Sequence, residues 1–380
     1  MIAEPRAGAT AETVARHRQN VDIGAGALLL GHINHPEARS RMWITLRTLA
    51  IAALSAGLAY LLHVPAPFLT GPAFCVTLTA LLGLRAVIPD RLRDAIFLVI
   101  GINMGTSVTP AAVATAAQWP GSLLMLCLSV TVILVGGAWL LRAVFGMDRM
   151  SSLLAATPGH LSFVISLSGD MKTDLPRVTM VQTMRVLLLT LLVPFVAPLL
   201  ADHPLPAMRQ TGTAMSLPAL TVLAALSGLA GLAFSRLRVP AALLLGGMAV
   251  SSVAHGAGIT EGAVPRWLSL PAFVIMGALI GTRFTGITFR MVAQSFGATS
   301  LLTGFAALTS LAASVIVARL IHLPVVTVLI AFAPGGLETM MAMSVLMDAN
   351  PAYVAAHHVF RLIFLTFALP VVVSRFGARA

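Results

Sequence analysis

The chain has 380 residues, 58% of them hydrophobic and only 10% charged, whereas an ordinary soluble domain carries about 25% charged residues. With a mean hydropathy of +0.94, this excludes an ordinary soluble domain and points to a polytopic membrane protein. The net charge of +11 does not mark a nucleic-acid binder: the arginines stand singly or in pairs at the ends of apolar runs, as membrane topology requires, and no helix-turn-helix or zinc spacing occurs.

Residues 1–41 form a polar tail with Arg6, Arg16, Arg18, Arg39 and Arg41, without the apolar stretch of a secretory signal. The tail is expected to be cytoplasmic or disordered. Met42 opens the first apolar run, so translation beginning there is an alternative. Predicted spans follow at 43–62, 67–88, 94–108, 119–145, 150–169 and 178–200, then 216–236, 240–258, 268–284, 291–320, 324–347 and 353–374. Typical runs are long enough to cross a hydrocarbon core of roughly 30 Å as helices. They are too continuous for barrel strands, whose side chains alternate inward and outward. The expected fold is an all-α polytopic membrane protein with about 10–12 transmembrane helices, since 94–108 and 268–284 can cross or re-enter. Cys75 and Cys127 lie inside apolar runs at no metal spacing and read as small core residues.

The segment "ADHPLPAMRQTGTAM" (201–215) is the one polar, proline-bearing linker of any length after the tail. It divides a first repeat, 42–200, from a second, 216–380. "VPAPFLTG" (64–71) answers "VPAALLLG" (239–246), "GINMGT" (101–106) answers "GALIGT" (277–282), and "LAATPG" answers "LIAFAPG". Arg185 and Arg361, like Pro194 and Pro370, differ by 176 positions. A shift held this steadily reads as an internal duplication. Charge bias between the loops does not choose between parallel and inverted halves.

The penultimate span of each half contains Pro-Gly: Pro158, Gly159 and His160 in "ATPGHLSF", and Pro334, Gly335, Gly336 and Glu338 in "FAPGGLET". Proline in mid-span unwinds or kinks a helix, and glycine permits unusual dihedrals. Exposed backbone at membrane depth is tolerated where it is buried in protein or lines a wet cavity, and matched interruptions in two halves point to a transporter's binding site. The alternative is a structural kink. Glu338 is the central candidate, because an acid near mid-bilayer commonly marks an ion or proton pathway.

Asp348 ends the second broken span, and His357, His358 and Arg361 follow on the last helix, with spacings that put either histidine on the arginine's face. The first half supplies Asp170 and Asp174, with Gln182 and Arg185 at the register of His358 and Arg361. An arginine two turns inside an apolar helix keeps its proton and must pair with a carboxylate, a carbonyl or an anionic ligand. For Arg185 and Arg361 the alternative is a structural ion pair, for the histidines a hydrogen-bonded interface. Asp170 and Asp348 are secondary candidates, since acids at span ends are ordinarily hydrated.

The duplicated Pro-Gly span, the Asp-bearing loop and a His/Gln-x-x-Arg helix, with "APGGLETM" and "HHVFRL" as its most specific stretches, resemble the AbrB family of bacterial inner-membrane proteins, built from two copies of one repeat. The resemblance covers about residues 43–376. It implies a multi-pass protein of the inner membrane. Proteins of this kind are labelled regulators of gene expression or ammonia monooxygenases. No DNA-reading module is present, so regulation would be indirect. An oxygenase needs a redox metal, and Glu338, His357, His358 and His160 are the only plausible ligands. Yet His357 and His358 are adjacent, about 100° apart around a helix. The expectation is therefore a transporter-like protein, not an enzyme, without cofactor or metal, that binds a small solute or ion between the repeats. Protonation of Glu338 is the candidate coupling step. Expected partners are membrane lipids and that ligand, with no direct nucleic-acid contact and with oligomerisation open.

Overall fold

The computed structural model describes residues 36–107, 119–158, 164, 173–200 and 213–377. Gly159, His160, Asp170 and nearly all of the tail and linker lie outside the described residues. Within them the chain is helical, with no strand beyond an isolated bridge between Ala214 and Ala263. The helices of the first half are α1 (Pro36–Leu61), α2 (Pro67–Leu81), α3 (Asp90–Gly105), α4 (Trp119–Phe145), α5 (Arg149–Ala156) and α6 (Leu175–Val196). Those of the second are α7 (Leu217–Arg236), α8 (Ala242–Gly256), α9 (Arg266–Thr282), α10 (Phe289–Ile321), α11 (Val325–Phe332), α12 (Leu337–Leu346) and α13 (Pro351–Gly377).

Among the described residues, six helices, α1, α4, α6, α7, α10 and α13, are long and apolar enough to cross a membrane, while α2, α8, α9 and α12 are apolar but shorter. Leu54, Leu124, Leu229, Leu308 and Phe367 are exposed on the long helices. Large apolar side chains facing outward suit a lipid solvent, so the architecture is that of a multi-pass membrane protein. The second predicted span reaches less far than its hydropathy suggested. Gly83, at φ 91°, receives the chain at the end of α2, its N–H bonding to Ala80 O while Leu84 N–H bonds back to Thr79 O. Glycine accepts that left-handed position at no steric cost.

Left-handed conformations recur at matched positions: His63 and Arg238 (φ 54° and 57°), then Ala66 and Ala241 (φ 50° and 49°). Packing is reciprocal as well. α2 lies on α9 and α3 on α8, so two short helices of one half pack on two short helices of the other. A Cβ on Gly101 would run into the Leu244 carbonyl, and one on Gly277 into the carbonyl of Leu69. These glycines let two backbones touch, the usual device for helices associating in lipid. The main core gathers Leu69, Ile100, Leu244, Phe273, Phe332 and Met340 around the second break. A separate cluster holds Leu153, Val178, Val181, Ala298 and Leu302.

Candidate functional site

Both interruptions begin in the same way. Thr157 (φ −58°, ψ 119°) ends α5 and Ala333 (φ −55°, ψ 129°) ends α11. Each precedes a proline, whose Cδ drives the preceding residue out of the helical region. In the second half the helix resumes as α12 at Leu337, with Gly336 extended (φ −70°, ψ 141°) at its N-cap. Ending a helix leaves its last carbonyls without intrahelical partners, and in lipid each such group costs several kcal/mol unless another donor reaches it.

Two buried arginines reach them. Arg185, on α6, donates to the carbonyls of Thr157 (2.9 Å) and Ala156 (3.4 Å). Arg361, on α13, donates to those of Ala333 (2.7 Å) and Gly335 (3.1 Å). Their neighbours match too. Gln182 accepts from Arg185 at 3.2 Å and donates to Leu154 O at 2.7 Å, while His358 accepts from Arg361 at 2.8 Å and bonds to Ile330 O at 3.0 Å. A guanidinium only donates. His358 Nδ1 must therefore be the acceptor and Nε2 carry the proton that the Ile330 carbonyl receives. Ser310 donates to Phe332 O at 3.1 Å, capping one more carbonyl of α11.

The C-terminal end of a helix carries a partial negative charge, so each guanidinium sits where its charge is favoured. It is not fully consumed there. The Nε of Arg185 and of Arg361 is buried without a hydrogen-bond partner, as is the hydroxyl of Thr339 in the first turn of α12. Arg93 pairs with Asp90 and Asp94 on α3, and among the described residues neither buried arginine has a carboxylate partner. Glu338, half-buried in the first turn of α12, lies beside Gly336, where an acid complements the positive end of the helix. An apolar cleft of about 230 Å³ between α6, α10 and α11, lined by Leu189, Val193, Leu308 and Leu329 among others, runs to Ala333 and Pro334 at the break.

His357 turns the other way, toward α4. Its Nδ1 bonds to Tyr353 O (2.8 Å) and its Nε2 to Ser122 Oγ (2.7 Å), and Ser122 also bonds to the Tyr353 hydroxyl. Trp119 and Phe332 wall this cluster.

The structure thus brings together Pro334, Gly335, Gly336, His358 and Arg361 at one break, with Pro158, Gln182 and Arg185 at the other. Glu338 is beside the second break, and Asp348 is exposed in a left-handed turn after α12. Gly159, His160 and Asp170 fall outside the described residues. Sequence reasoning missed Ser122, Tyr353 and Ser310. A buried serine in an apolar helix is unremarkable taken singly, but comparing positions 176 apart would have found one: Ser122 stands where the second half has Ala298.

The family described as "Transition state regulatory protein AbrB" matches residues 68–377. "Uncharacterized protein YhjN" of Bacillus subtilis (strain 168) is 29% identical over 297 residues, 72% of this chain and 75% of that protein. "Putative regulator AbrB" of Escherichia coli (strain K12) is 22% identical over 333 residues, 85% of this chain and 94% of its own length. No solved structure matches. With a match that runs from the second helix to the last and takes in both breaks, the chain belongs to the AbrB family.

Proposed function

We propose that the protein resides in the bacterial inner membrane, consists of two copies of one repeat, and binds a small solute between the two broken elements, moving it by alternating access of one repeat against the other. The observation that carries this reading is the pair of helices that end before a proline, whose freed carbonyls are met by matching Arg–Gln and Arg–His pairs at a constant offset in sequence. A kink needed only for shape would not require a fully buried cation at each break. The unpartnered Nε–H groups of Arg185 and Arg361 and the free hydroxyl of Thr339 favour a solute with an anionic group. Glu338 is the acid of the site. The apolar cleft suits a nonpolar portion of the solute.

The test is thermal unfolding of the purified protein in detergent against ammonium, amines, amino acids, carboxylates and Na⁺, with Glu338→Gln alongside. A ligand that binds only the folded state stabilises it by about 2.7 kcal/mol at a hundredfold excess over its Kd. A carboxylate that raises the melting temperature of the native protein, with a changed response in the variant, supports the reading. If no solute acts and the variant behaves as the native protein does, the reading fails.

A second reading is favoured by the printed name of the Escherichia coli relative: a membrane protein that regulates gene expression indirectly, without flux. It predicts altered expression on deletion and no solute movement in proteoliposomes.

A further inference from the structure

The adjacent histidines of α13 are bonded to chemically different partners. His358 is held between groups of fixed polarity, the Arg361 guanidinium, which only donates, and the Ile330 carbonyl, which only accepts. A second proton on that ring would set N–H against N–H. His357 differs at one atom. Its Nδ1–H donates to Tyr353 O, so its Nε2 faces the Ser122 hydroxyl. A hydroxyl donates or accepts as its rotor turns. When the ring is neutral, Ser122 donates to Nε2. When Nε2 takes a proton, it donates to Ser122 Oγ, and the serine hydrogen rotates away. One hydrogen bond reverses direction and no covalent bond other than the new N–H is formed or broken.

The other half supplies the comparison. At the same offset that relates Arg185 to Arg361, Val181 stands for His357 and Ala298 for Ser122, and both are buried in one apolar cluster. At the matched place these two positions are apolar, while Arg177 stands for Tyr353. Ser122, Tyr353 and His357 are nonetheless buried, and burying polar groups that apolar ones could replace adds no stability.

Other charged or titratable groups on the packed elements stand apart from these hydrogen bonds. His358 and Arg361 share α13, bonded to each other and to α11 and its break. Glu338 is in the first turn of α12. Cys127 and, near the helix end, Arg142 are on α4 and Arg149 begins α5, while Asp90, Arg91, Arg93 and Asp94 open α3. α11 carries none.

We propose that His357 is the proton-binding residue of this protein, with the Ser122 hydroxyl as the switchable partner of its Nε2 in both protonation states and the Tyr353 hydroxyl bonded to that serine. The proposal assigns proton uptake to His357 rather than to Glu338, and it does not depend on solute binding.

Trp119 reports on the site: its ring centre is 6.3 Å from that of His357 and 5.6 Å from that of Tyr353, and an imidazolium beside an indole quenches its emission. Trp43, Trp139 and Trp267 are exposed and can be replaced by phenylalanine, leaving Trp119 as the sole emitter in detergent-purified full-length protein. Emission is titrated over about pH 4–9, the range that brackets histidine. The expected result is one reversible loss of emission as pH falls. It should be retained in His358→Gln, moved to lower pH in Ser122→Ala, and absent when Ser122→Ala, Tyr353→Phe and His357→Val are combined. That last set makes the cluster apolar, and an unchanged melting transition shows that it folds. No transition in the parent protein, a transition that survives the triple replacement, or one abolished by His358→Gln overturns the proposal. No solute enters the measurement, so its failure and that of the solute site are separately visible.

Discussion

Gln182 and His358 are unlike in ring, size and acidity, yet each accepts a hydrogen bond from an arginine three residues on and bonds to a carbonyl 28 residues earlier. What the position requires is one acceptor and one donor set at a fixed span. His358→Gln should therefore leave stability within about 1 kcal/mol of the native value, whereas His358→Leu, which strands the Ile330 carbonyl and an arginine N–H, should cost about 2–5 kcal/mol. Denaturant unfolding in micelles distinguishes the two. The involvement of both arginines was legible in the sequence, because a cation inside an apolar helix has to be paired. Which histidine serves Arg361 was not: His357 and His358 both stand at helical spacing from it, and only the packing of α13 against α11 on one side and α4 on the other separates them.

At the scale of elements, the two breaks were legible because a proline acts on the residue before it whatever the surroundings. The end of α2 was less so, since "LLGLRAVI" (81–88) is apolar enough to continue and only the left-handed turn at Gly83 stops it. Helix contacts carry a direct prediction. Gly101→Ala or Gly277→Ala pushes a methyl into a facing backbone carbonyl and should cost about 1–3 kcal/mol, while Gly57→Ala, with nothing within 4 Å of its new methyl, should be neutral or slightly stabilising. Melting temperatures of the three variants provide the check. α5 offers a second test. Asp148 accepts from the backbone N–H of Met150 (3.1 Å) and Ser151 (2.8 Å) at its N-cap. Burial raises its carboxyl pKa, but hydrogen bonds from Ser151 and the backbone outweigh that and hold it below the usual carboxylate range. A pKa lowered on folding contributes stability at pH above the unfolded value, and that contribution is lost as pH falls through the folded one. Asp148→Ala should accordingly cost about 1 kcal/mol near neutrality and close to nothing in acid, as read by melting at the two pH values.

For the whole molecule, hydropathy was enough to show a chain made for lipid, and the exposed leucines and phenylalanines of the long helices bear this out. Alkaline carbonate should leave the protein in the membrane pellet. Leu229→Arg, placed on the outer face of α7, should reduce the inserted fraction, since an arginine at the centre of a spanning helix costs about 2.5–3.5 kcal/mol; protease protection of membrane vesicles measures the loss. How the halves interlock was beyond the sequence, because glycines 101 and 277 show where backbones can touch but not which partner they touch. The reciprocal seating of α2 on α9 and α3 on α8 bears on how the protein is made. The ribosome delivers α2 and α3 well before α8 and α9 exist, so for part of each round of synthesis the glycine-notched face of α3 and the face of α2 that seats the α9 glycines stand in the bilayer with their mates still unwritten. A nascent chain stalled there has one complementary surface within reach, another unfinished copy of itself, and the second half must arrive quickly enough to forestall that embrace.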